Sequence, residues 1–117
     1  MAPSIHVTEA ESEVLAALWR SGPLTPTRLV EAVKDRRDWG EATIKTLLGR
    51  LMQKQAVRSR RDDGRLLYDP LVTLEAYVAA EAQRLADRLF DGDPTRLAEF
   101  IIERFRAGDP VERRGQV

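Results

Sequence analysis

Apolar residues recur at three- and four-residue spacing along most of this chain, and breaks rich in Gly, Pro, Ser and Asp divide the pattern into segments. Val14, Leu15, Leu18 and Trp19 share one side of a first predicted helix, which Ser21-Gly22-Pro23 stops. Thr8 at its start, with Glu11 three residues on, has the form of a capping box. Residues 1–7 before it read as a short arm. Thr25 followed by Pro26 opens a second helix with Leu29, Val30 and Val33 on its buried side, ending near Arg37. Asp38-Trp39-Gly40 connects to a third helix, predicted from about Glu41 to Gln55, whose core stripe is Ile44, Leu47, Leu48 and Leu51.

The next stretch, VRSRRDDGRLLYDPLV, loses the helical period. Two short strands, about 57–61 and 65–69, flank Asp62-Asp63-Gly64, and Asp-Gly between such runs is a strong hairpin signal. Pro70 closes the second strand. A long helix is predicted over about Thr73 to Phe90, with Leu74, Val78, Ala82, Leu85 and Leu89 in a narrow stripe. Asp91-Gly92-Asp93-Pro94 breaks it. A last helix over about 94–106 places Leu97, Ile101 and Phe105 at four-residue spacing, with Phe100 alongside. The polar tail from Ala107 is expected to fray. No internal repeat is present.

The third helix has a second face that its core stripe does not explain. Thr43, Thr46 and Arg50 fall within roughly 60° of arc, on a different side from the apolar stripe, with Gly49 beside the arginine. The glutamates and lysines that usually fill a solvated face are scarce there. Charge sharpens the point. The whole chain is neutral, yet residues 36–65 hold nine basic and four acidic side chains, a net of +5, while both flanks are net acidic. A local basic footprint of this kind points to a polyanion partner.

Length and composition set the remaining bounds. A chain of 117 residues, 43% hydrophobic and 32% charged, is one domain or a small domain with an appended segment. Its core is marginal, a limit that an oligomer relieves. Without cysteine there is no disulfide, thiolate metal site or cysteine nucleophile. The single histidine, His6, is read as a solvated arm residue without metal-binding partners. No nucleophile, base and orienter assemble into a catalytic set, and no glycine-rich loop follows a strand, so neither an enzyme nor a cofactor is expected. No apolar run approaches the ~20 residues of a membrane span, nor does the N-terminus have the form of a signal peptide, and a cytoplasmic protein is expected. Trp19 and Trp39 adjoin apolar helical positions and are read as packing residues.

Three helices followed by a basic hairpin is the order of a winged helix-turn-helix, in which the third helix enters the major groove of double-stranded DNA and the hairpin forms the wing. The fold expected is therefore mainly α: a winged helix-turn-helix over residues 1–70, then a helical dimerisation segment over 71–117. Short polar groups suit a helix that must approach base edges. Threonine offers a methyl or a hydroxyl, and arginine grips guanine bidentately. Thr43, Thr46 and Arg50 are the base-reading candidates. Lys45, Lys54, Arg58, Arg60, Arg61 and Arg65 are candidates for phosphate contact, with Ala42 flanking them. Leu74, Tyr77, Val78, Leu85, Leu89, Leu97, Phe100, Ile101 and Phe105 are the expected homodimer interface. The alternative is a winged helix that binds protein, which would expose an apolar patch at the third helix rather than concentrate charge there.

TEAESEVLAALW, DWGEATIKTLLGRL, GRLLYDPLV and LADRLFDG closely resemble the BlaI/MecI/CopY repressors, in register from about Ile5 to Phe105. The pattern from Trp39 to Leu51 is the most specific part. The resemblance implies a dimeric winged-helix repressor of an inverted-repeat operator, commonly with TACA/TGTA half-sites. It also implies a dimer interface on the C-terminal helices and base reading by Thr43, Thr46 and Arg50. Where that family often has Ser-Pro-Lys, this chain has Gly40, Glu41 and Ala42, so one lysine is missing. The cysteine pattern of copper-responsive members is absent. The Asn-Phe pair cleaved in β-lactam-responsive members corresponds to Glu99-Phe100, which does not support a membrane sensor-protease as partner.

Overall fold

A computed structural model describes residues 6–106. Their element order is α1 (Glu9–Ser21), α2 (Pro26–Lys34), α3 (Glu41–Gln53), β1 (Val57–Asp62), β2 (Arg65–Pro70), α4 (Leu74–Leu89) and α5 (Pro94–Phe105). This is the mainly helical, hairpin-bearing order expected, with boundaries shifted by a few residues. The tail from Ala107 lies outside the described residues. Two compact units are present, one ending at Tyr77 and the other beginning at Val78.

In the first unit, side chains from α1, α2 and α3 meet in one core. Val14, Leu15, Leu18, Leu29, Val33, Ile44 and Leu51 are all essentially inaccessible to solvent. Each helix start is satisfied locally where a side chain allows it. The Thr8 hydroxyl accepts the Glu11 N–H at 3.1 Å while the Glu11 carboxylate accepts the Thr8 N–H at 3.0 Å, the reciprocal capping box. Thr25 accepts the Arg28 N–H ahead of Pro26.

Val7 corrects one expectation. The sequence places it in a short arm, but only 2% of its surface is exposed, because it packs against the core just before α1. Helical periodicity does not register an apolar residue that stands outside the helix.

β1 and β2 pair antiparallel, with Asp62 opposite Arg65 around Asp63-Gly64. Both turn residues have positive φ, 54° and 81°, the two-residue type I′ geometry that matches the twist of a hairpin. Leu24, between α1 and α2, adds an isolated bridge to Tyr68: each accepts the other's N–H, at 2.9 and 3.3 Å. α3 ends in a Schellman motif, with the Ala56 N–H donating to the Leu51 carbonyl and the Gln55 N–H to that of Met52. This puts Gln55 at φ 63°, a conformation better suited to glycine.

The first turn of α4 belongs to this unit. The Trp19 indole donates to the Val72 carbonyl at 2.8 Å, and its ring lies 5.7 Å from that of Tyr77. The division therefore falls after Tyr77 rather than at residue 70.

Among its described residues the second unit has little core of its own. Ala86 and Leu97 are buried, and the Phe90 and Phe100 rings stand 5.9 Å apart. Asp93 caps α5 ahead of Pro94 by accepting the Thr95 N–H.

Candidate nucleic-acid interface

α3 presents its two faces as the sequence spacing predicts. Ile44, Leu47, Leu48 and Leu51 are buried, whereas Ala42, Thr43, Lys45, Thr46, Gly49 and Arg50 are exposed. Among the described residues, Thr43, Thr46 and Arg50 have no side-chain hydrogen bond or ion pair, so their donors and acceptors face solvent. Gly49 carries a second signal. Its φ is ordinary, and a Cβ built there meets nothing within 4 Å, so neither the backbone nor the packing calls for glycine. A glycine inside a helix costs about 1 kcal/mol relative to alanine. Among the described residues no contact compensates that cost.

At the start of α3, Gly40 is the N-cap and supplies no side-chain hydrogen bond. Glu41 sits in this first turn and pairs with Lys45 at 2.8 Å. Their mutual hydrogen bond is the main reason that the Glu41 carboxyl is held below its ordinary pKa and the Lys45 ammonium above. Lys45 thus remains a solvent-facing cation with part of its charge offset. In the preceding loop the Arg37 guanidinium lies 5.1 Å from the centre of the partly buried Trp39 ring and 3.8 Å from the Glu13 carboxylate.

The other basic candidates divide sharply. Lys54, at the C-cap of α3, turns inward: its ammonium donates to the Glu11 carboxylate at 2.5 Å and to the His6 carbonyl at 2.8 Å. Glu11 is only 1% exposed, so this bond compensates a buried charge. Burial pushes the Glu11 carboxyl up, but the hydrogen bonds from Lys54 and Thr8 and the charge of Lys54 together outweigh it and hold it below its ordinary value. Arg58 and Arg60 both bond to Asp69 on β2. Arg61 donates to the Gly64 carbonyl at 3.1 Å, and Arg65 has no side-chain partner among the described residues. Composition alone counts all these cations alike; their cross-strand and interhelix partners become visible only in the fold.

The residues expected at a dimer interface also separate. Leu74, Val78, Leu89, Phe100, Ile101 and Phe105 are each at least 41% exposed, and Leu85 is half-buried. Leu97 is buried by its own chain, and Tyr77 stacks near Trp19. Ile102, 55% exposed beside Ile101, is an apolar surface residue that four-residue spacing passed over. Among the described residues no group of three or more His, Cys, Asp or Glu side chains is placed to hold a metal ion, and no helix is long and apolar enough to cross a membrane.

The family model for the penicillinase repressor matches residues 7–110. The penicillinase repressor of Bacillus licheniformis is 22% identical over 98 residues, covering 84% of this chain and 77% of that one. The transcriptional regulator BlaI of Mycobacterium tuberculosis is 35% identical over 80 residues, covering 68% and 58%. The chain spans between 46% and 80% of the length of the curated relatives it matches. Among solved structures, the monomeric form of Bacillus licheniformis BlaI in complex with the blaP half-operator superposes with a TM-score of 0.57 at 24% identity, over 63% of this chain and 92% of that one. The fold is thus that of the BlaI winged helix. The chain belongs to the penicillinase repressor family, whose members are transcriptional repressors and not enzymes.

Proposed function

We propose that this chain is a sequence-specific DNA-binding repressor that acts in the cytoplasm as a homodimer on an inverted-repeat operator. The observation that carries this reading is the exposed face of Thr43, Thr46 and Arg50 on α3, unpartnered among the described residues and beside a glycine that none of them requires. In this reading α3 lies in the major groove, Arg50 grips a guanine, and the threonines meet thymine methyls or base-edge acceptors. Lys45, Arg61 and Arg65 supply phosphate contacts, with Ala42 close to the backbone. Lys54 holds α3 against α1 instead.

The segment from residue 71 onward dimerises through the exposed apolar residues of α4 and α5. The exposure of Leu74, Val78, Leu89, Phe100, Ile101, Ile102 and Phe105 supports this reading, since large apolar side chains exposed in such number are what an interface covers. Two-fold symmetry then sets two recognition helices about 34–36 Å apart, one turn of DNA. Nothing at Glu99-Phe100 assigns a sensor-protease partner to this chain.

The test is selection from a pool of random duplexes, with bound DNA recovered and sequenced. Enrichment of an inverted repeat is the expected result. Salt-sensitive binding without any enriched sequence would reduce the α3 face to phosphate contact, and no binding at moderate salt would remove the DNA reading altogether.

A further inference from the structure

The wing's four arginines are not equivalent. Arg58 and Arg60 stand two residues apart on β1 and so share one face of the hairpin. Asp69 is the direct cross-strand partner of Arg58 and lies diagonally from Arg60. Its Oδ2 accepts the Arg60 Nε–H at 2.6 Å and the Arg58 Nε–H at 3.3 Å, while its Oδ1 accepts from Arg60 Nη2 at 3.4 Å. The Asp69 side chain is 14% exposed, against 59% for Arg58 and 36% for Arg60, so the two guanidiniums cover the carboxylate. The hydrogen bond from Arg60 is the largest influence on Asp69 and holds its carboxyl below the ordinary value. Arg61 and Arg65, nearer the turn, have no carboxylate partner among the described residues.

We infer that Asp69 withholds Arg58 and Arg60 from the DNA backbone, leaving the wing's phosphate contacts to Arg61 and Arg65. This rests on the DNA-binding reading above. A phosphate that approaches Arg60 meets a carboxylate already bonded to the same guanidinium, and the trio's charge is +1 rather than +2. Each phosphate neutralised contributes about 0.9 to the slope of log affinity against log salt. Asp69 therefore sets how strongly the protein holds DNA of any sequence, a quantity that a count of basic residues overstates.

The experiment is a salt titration of the full chain binding a short duplex of mixed sequence, followed by fluorescence anisotropy. Arg60→Ala should change affinity by less than about twofold and leave the slope unaltered, whereas Arg65→Ala should make the slope shallower by about 1. Asp69→Asn should steepen the slope by about 1 to 2 and raise affinity about fivefold or more at moderate salt. Adding Arg60→Ala to Asp69→Asn should remove part of that gain. Asp69→Ser, a second way to delete the charge, should repeat the Asn result, with thermal melts showing that each variant is folded.

A slope made shallower by Arg60→Ala while Asp69 is present would overturn the inference, as would an Asp69→Asn slope equal to that of the unaltered protein. Failure of the underlying DNA reading is recognised separately, from the unaltered protein showing no salt-dependent binding.

Discussion

Replacing Lys54 by methionine keeps most of the side chain's reach but deletes the charge that faces Glu11. In the native fold the Glu11 side chain is 2% exposed and that of Lys54 is 33% exposed, with 2.5 Å between ammonium and carboxylate. Breaking a fully buried pair costs about 3–5 kcal/mol, because one charge is left uncompensated. An exposed pair is worth about 0–1 kcal/mol. This pair lies between the limits, since Lys54 is partly solvated and Glu11 keeps its bond from the Thr8 N–H. Losing the bond to the His6 carbonyl adds to the cost. A destabilisation of about 2 kcal/mol is expected, a sizeable share of a total near 5–15 kcal/mol.

The pH dependence gives this prediction its sign. With Lys54 present, the folded Glu11 carboxyl titrates below its unfolded value of 4.5, so its stabilisation holds above that value and is lost as pH falls through the folded one. Without Lys54, burial is opposed only by the hydrogen bonds with Thr8, so the carboxyl titrates higher than in the native protein and acid costs the variant less stability than it costs the native fold. The gap between Lys54→Met and the native protein should therefore narrow from about pH 7 to about pH 4. Urea unfolding followed by far-ultraviolet circular dichroism at several pH values measures it. A gap below about 0.5 kcal/mol that does not change with pH would refute the reasoning and place this pair with ordinary surface salt bridges.

Gly49→Ala should raise stability by about 1 kcal/mol, because a methyl there meets open space in a regular helix, yet it should weaken operator binding. Thermal melts and gel shifts read the two effects, and a stabilised protein with unchanged affinity would show that DNA does not approach this position closely. Arg50→Ala should cost ~1–3 kcal/mol on operator and relax preference at one base pair, whereas equal losses on operator and mixed sequence would deny Arg50 a base-reading role. Gln55→Gly should stabilise the fold by about 1 kcal/mol by relieving a positive φ, a gain absent from the melt if the Schellman motif is not formed in solution. Ile101→Asp should give monomers in sedimentation with the winged helix still folded. An intact dimer would move the interface off α5.

Local pattern determined a good deal of this protein. Three-and-four spacing, the Thr8–Glu11 box, Thr25-Pro26 and Asp63-Gly64 specify helices, caps and turn through contacts only a few residues apart, so they are legible along the chain. The same spacing separates the buried and the exposed sides of α3, because one helix repeat orders both. Tertiary structure alone decided what each charged or isolated residue does. Val7 and Leu24 join the core and the sheet as single residues without a period to announce them. Lys54 meets Glu11 across 43 positions, and Arg58 and Arg60 meet Asp69 across 11 and 9. A cation's role depends on which anion lies within a few ångströms of it, and that distance is set by packing between segments rather than by neighbours in sequence.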